Sequence, residues 1–322
     1  MATHGMLVCS FFIKKRFSRG TVELLPLNQP YSVTTDDGET VSFENIFHMV
    51  FSFCQKYTTL SDDEKRQKVF SIKPKSIYEF DTATYHAITF IVKSGSYGVE
   101  GDITDRRTQQ VTHRMNADEA SVKEFQVVVY VPKDTGDVSI TKGIFVFQSI
   151  ASYGVKTITV DYLKSYLSDC GLTLNTRSVS VRAFIEKLIE QGSLYKITLI
   201  KNQLSPNRTD NMLINTGREE TSYIHPNLKP EWLQSILMVF QKADETGICE
   251  IPAGENYDDI SIQFKLGGHP RTVRLKYLEK LSIVEDVPDE VINDKNKFAL
   301  CNYMIQTADA YKQKMVFNVG EG

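Results

Sequence analysis

Few cysteines, no apolar run of membrane length and no surplus of positive charge characterise this chain of 322 residues. The five cysteines, Cys9, Cys54, Cys170, Cys249 and Cys301, are an odd number scattered along the whole length, with no CxxC pair and no histidine at ligand spacing. A disulfide framework needs an even, dense set, and a structural zinc site needs paired ligands a few residues apart. The cysteines therefore read as reduced thiols, and neither a metal nor a cofactor is implied. The N-terminal apolar run, 6–13, falls well short of the ~20 residues that cross a bilayer. Lys14, Lys15 and Arg16 follow it, where a secretory signal would place small residues before its cleavage site. The run is expected to be a first strand, with no membrane partner and a cytoplasmic location.

The formal charge of −3 excludes a chain that is basic throughout, so a polyanion would have to meet a local patch. No repeat recurs at 20–50 residues, no GxSxG elbow surrounds a serine, and the six histidines contain no HxxxH pair. A catalytic residue is therefore not identified.

What is present is the balance of an ordinary globular protein, 41% hydrophobic and 24% charged, at about twice the usual domain length. Apolar runs and stretches rich in Val, Ile, Phe and Tyr predict strands at 6–13, 21–27, 69–80, 84–93, 124–132 and 143–150. In 124–131 nearly every residue is apolar, which predicts a central strand covered on both faces. Phe43, Ile46, Phe47, Val50, Phe51 and Cys54 lie on one helical stripe, with Ser42 as N-cap. From 157 the period becomes helical, and Gly171 is expected to stop that helix. A second helix over 179–191 and a hairpin of 194–201 with 211–215 follow. Beyond a hinge at 227–229, a helix at 230–242, strands at 260–266 and 271–278 and a long helix over 288–315 complete the chain. The expected fold class is α+β: an N-terminal, mainly antiparallel sheet with one or two helices (1–155), a central helix-helix-hairpin segment (156–225), and a C-terminal α+β portion (226–322).

The central segment resembles the latter part of a winged-helix DNA-binding unit, in which the second helix enters the major groove and the hairpin loop meets phosphates. Within 156–210 eight lysines and arginines stand against five carboxylates. What the resemblance implies is base and phosphate contact by Arg177, Ser178, Ser180 and Arg182 at the start of the second helix, and by Lys201 and Arg208 in the wing. The function so implied is nucleic-acid binding of a prokaryotic type, as in phage-defence or mobile-element systems, with DNA as the partner. No single residue marks that setting.

Two alternatives stand beside it. One is a non-catalytic scaffold that forms a homo-oligomer or joins a partner protein subunit. The other is a metal-dependent nuclease, for which Asp258 or Asp259 with Gln263 and Lys265 would supply the carboxylate, amide and ammonium. The glycines of 95–101 read as a tight turn between strands, since no phosphate-loop motif surrounds them. Asp102, Asp105, Arg106, Arg107, His113 and Arg114 read as alternating charges on a solvated loop.

Overall fold

Residues 127–131 are apolar without interruption and all five are buried, as a strand covered on both faces requires. The computed structural model that places them describes residues 3–15, 24–34, 38, 40–133, 140–151, 153–178, 193–201, 218–224, 259–266, 269–274 and 284–312. Contacts divide the chain into two units, Met1–Thr176 with Val284–Gly322, and Arg177–Ile283.

The first unit carries β1 (His4–Lys15), β2 (Tyr31–Thr34), β3 (Thr40–Phe43), α1 (Ile46–Lys56), β4 (Ser61–Asp63), β5 (Lys68–Ile72), β6 (Tyr78–Asp81) and β7 (Tyr85–Ser96). There follow β8 (Gly101–Thr104), β9 (Val111–Met115), β10 (Ser121–Pro132), β11 (Lys142–Ile150), β12 (Tyr153–Gly154), α2 (Lys156–Asp169) and β13 (Leu172–Ser178). In the second unit lie β14 (Ser193–Lys201), β15 (Glu219–Ile224), β16 (Asp259–Leu266) and β17 (His269–Arg274). The chain then returns to the first unit with β18 (Val284–Asp286), α3 (Asp289–Ile292) and α4 (Ala299–Lys312).

Ten strands form one sheet in the order β13-β1-β11-β10-β7-β5-β4, with β12 beside β11, β18 beside β1 and β6 beside β7. The pairs β1–β11, β11–β10, β10–β7 and β7–β5 are all antiparallel. Because side chains alternate across a strand, β10 sends Phe125, Val127, Val129 and Val131 into a core shared with Phe53 of α1 and Leu163 of α2. Tyr130, of opposite parity, faces α4, and its hydroxyl donates to Asp309 Oδ1 at 2.5 Å. Helices thus cover both faces of the central strands, which explains why 127–131 has no polar member.

Local chemistry sets the element ends. Asn45, not Ser42, caps α1, its Oδ1 accepting from the amides of Phe47 and His48. Ser42 is unavailable because it belongs to β3, paired with β2. Gly171 follows α2 at φ +71°, a left-handed position that spares glycine the Cβ penalty.

The expected α+β chain with a central winged-helix-like segment is overturned. Strand exceeds helix, 50% against 23%, within a large antiparallel sheet, and four helices lie among the described residues. The decisive stretch is 172–178. Leu172 and Leu174 are buried while Thr173 between them is only half-buried, a period-2 pattern that adds β13 to the sheet beside β1. A strand therefore stands where a turn leading into a recognition helix was expected. The helix expected at 179–191 lies outside the described residues, as do 211–215 and 230–242. β14 pairs with β15 and β16 in an antiparallel four-stranded sheet, order β15-β14-β16-β17. The long helix expected over 288–315 is two helices, α3 and α4, separated at 293–298.

Candidate nucleic-acid interface

Of the six residues expected to read DNA, Arg177 and Ser178 end β13 and Lys201 ends β14, so they belong to two different sheets. Ser180, Arg182 and Arg208 lie outside the described residues. The nuclease residues Asp259, Gln263 and Lys265 share the single strand β16. Four residues of extended chain put the Asp259 backbone roughly 13 Å from that of Gln263, too far for those two side chains to hold one metal beside Lys265. Among the described residues no group of three His, Cys, Asp or Glu side chains could hold a metal ion.

A different segment forms an exposed two-stranded ribbon. β7 and β10 pair antiparallel as far as Ser96↔Ser121, and the β5 ladder on β7 also ends at Ser96. Past that point the two strands run on without a sheet neighbour among the described residues. Gly98 N–H donates to the Ala117 carbonyl at 2.7 Å, and pairing resumes as β8–β9 from Gly101↔Met115 to Thr104↔Val111. The result is a two-stranded arm over 97–120. Its root is tied down where Tyr97 N–H meets the Gln67 carbonyl at 3.1 Å and the Tyr97 hydroxyl donates to Asp62 at 2.7 Å. That hydrogen bond, with a smaller contribution from burial, pushes the tyrosine up to about 12.

Every residue of β8 is exposed, as are four of the five in β9. The two faces differ in chemistry. Register puts Ile103 opposite His113 and Asp102 opposite Arg114; Ile103 and Val111, 51% and 57% exposed, leave apolar surface in solvent. At the tip, Asp105 Oδ1 accepts from the amides of Arg107 and Thr108, both at 2.8 Å. Those hydrogen bonds hold the Asp105 carboxyl below its ordinary range, and they order the turn that displays Arg106 and Arg107. Among the described residues no carboxylate forms an ion pair with Arg106, Arg107 or Arg114. Nearer the root, Glu119 accepts from the Asn116 amide and from His113 Nε2, at 2.8 and 2.9 Å. The amide first and the histidine second lower its carboxyl pKa.

The arm was read as a turn and a solvated loop because its alternation spans only four or five residues and buries nothing. Two signals for it exist: Asp105 opening a polar turn, and the β-branched positions 103, 104, 111 and 112 flanking that turn symmetrically.

Comparison with protein-family models and with curated proteins finds no match. Among the described residues no helix is long and apolar enough to cross a membrane.

Proposed function

We propose that the protein binds nucleic acid in the cytoplasm, with the 97–120 arm as its reader. The observation that carries this is the arm itself: Arg106 and Arg107 at its tip and Arg114 nearer its root, none in an ion pair among the described residues, on an exposed two-stranded ribbon. A ribbon of that kind fits the major groove of a duplex. Arginine there pairs with guanine edges or phosphates, and Gln109, Gln110 and Thr108 add amide and hydroxyl groups suited to bases. The buried free thiols Cys9, Cys54, Cys170 and Cys301 support a reducing compartment.

Fluorescence anisotropy with a labelled duplex tests this. Substituting R106E/R107E is expected to weaken binding at least tenfold and to flatten the salt dependence by roughly two in log–log slope, since each phosphate neutralised contributes ~0.9. R177E/R182E serves as the comparison and is expected to stay within twofold of the parent. No duplex binding by the parent chain, or equal loss in both variants, would reject the arm.

A second reading has its own observation. Val99, Ile103 and Val111 are 66%, 51% and 57% exposed, apolar surface along the arm that a second copy of the chain could cover, making the protein a scaffold.

A further inference from the structure

At the root of the arm a cleft of about 200 Å³ opens between β5, β7, β10 and β12. Its floor follows from register. Across three neighbouring strands Lys68 stands opposite Ser96, and Ser96 opposite Ser121. One row further along β7, Lys123 stands opposite Ser94. These five side chains therefore share one face of the sheet, the face that a few residues further on holds Phe70, Val92 and Phe125 of the core. A continued core would want apolar groups at these positions. Instead there are two ammonium groups and three hydroxyls, with Ser94 only 8% exposed.

The cations are held without being neutralised. Lys123 Nζ sits 3.9 Å from the centre of the Tyr153 ring, a contact that positions an ammonium while leaving its N–H groups able to donate. Elsewhere lysines of this unit do find carboxylates, as Lys73 does with Glu124 at 2.7 Å and Lys56 with Asp169 at 3.1 Å. Neither Lys68 nor Lys123 forms an ion pair among the described residues; Asp63, opposite Lys68 on β4, is engaged by Arg66 at 2.7 Å, and no lining residue of the cleft carries a carboxylate. Two positive charges and three hydroxyls around a concave space form a donor set complementary to an oxyanion that accepts on every side. At roughly 30 Å³ per water, the volume admits such an ion with a few waters.

We infer that this cleft is a phosphate-binding site. The ligand is a phosphate group, reached either as a free phosphate or monoester or as a phosphodiester of a nucleic-acid backbone. The inference stands on the cleft alone and does not require the arm to read bases.

Isothermal titration calorimetry of the full chain with inorganic phosphate, and separately with a dithymidine phosphodiester, tests it. Saturable binding of at least one probe is expected, weakened at least tenfold in K68Q/K123Q and unchanged in K73Q, whose charge is already paired on the surface. Binding of inorganic phosphate alone assigns a free phosphorylated ligand, and stronger binding of the diester assigns a backbone. If K68Q/K123Q loses its circular-dichroism signature, S121E replaces it, placing a carboxylate at an exposed position on the cleft. R106E/R107E is expected to keep phosphate binding whatever becomes of its duplex affinity, so the two proposals fail separately. Absence of saturable heat with both probes overturns the inference, as does undiminished binding by K68Q/K123Q or S121E.

Discussion

Single positions in this protein are decided by what their backbone or side chain meets. Gly95 is the sharpest case. A Cβ there would fall on the Ser121 carbonyl and lie 2.8 Å from Val122 Cα, both on the paired strand β10. Backbone on a central ladder cannot retreat as a flexible side chain would. Gly95→Ala is therefore expected to destabilise the fold by about 1–3 kcal/mol, read as a lower urea midpoint with unchanged slope. A variant as stable as the parent would show that β7 and β10 approach less closely than described. Asn45 illustrates the limit of sequence at this scale. Ser42 and Asn45 are both competent caps, and the choice between them fell to Asn45 only because strand pairing with β2 removed Ser42.

At the level of elements, the arm and β13 were both misread for the same physical reason. Short segments of four to seven residues carry too few alternations to separate strand from loop, and what makes them strands is a partner elsewhere. β13 gains its partner in β1; the arm's two strands have each other. A two-stranded ribbon alone is only marginally stable in water, so an arm whose Ile103 and Val111 are half-exposed is a natural place for a second surface. If a second copy of the chain covers that apolar side, I103E/V111E is expected to convert an oligomer to monomer in light scattering without altering circular dichroism. A parent chain that is monomeric at every concentration removes the scaffold reading and leaves the nucleic-acid one untouched.

Across the whole molecule, titratable groups have been carried into the first unit where the loss of water outweighs nearby cations such as Lys156 beside Cys9. Burial pushes the Cys9 thiol up to about 12 and raises Cys54, Tyr31 and Tyr130 as well, the last helped by its hydrogen bond to Asp309. A raised pKa means that the folded chain keeps protons which the unfolded chain, with thiols near 9.0 and phenols near 10.0, releases. Stability from these groups is complete below about pH 9 and falls as pH rises toward the folded values. For the fully buried Cys9 the loss approaches about 1.4 kcal/mol per pH unit. Urea midpoints measured from pH 8 to pH 11 are expected to decline steadily, and Cys9→Ala to decline less steeply than the parent. Parallel curves would show that Cys9 is not shielded from solvent.

The residues by themselves determined the long periodic elements. β1, β7, β10, β11 and α2 could be located in advance, because eight or more residues of consistent period leave one arrangement that buries their apolar groups. The apolar run of β10 even announced cover on both of its faces. Only the tertiary structure decided that 172–178 joins the sheet, that β18 and α4 return to the N-terminal unit, and that Lys68, Ser94, Ser96, Ser121 and Lys123 meet on one face. Those facts depend on pairing between segments distant in the chain, and a side chain's identity does not specify the strand beside which it will lie.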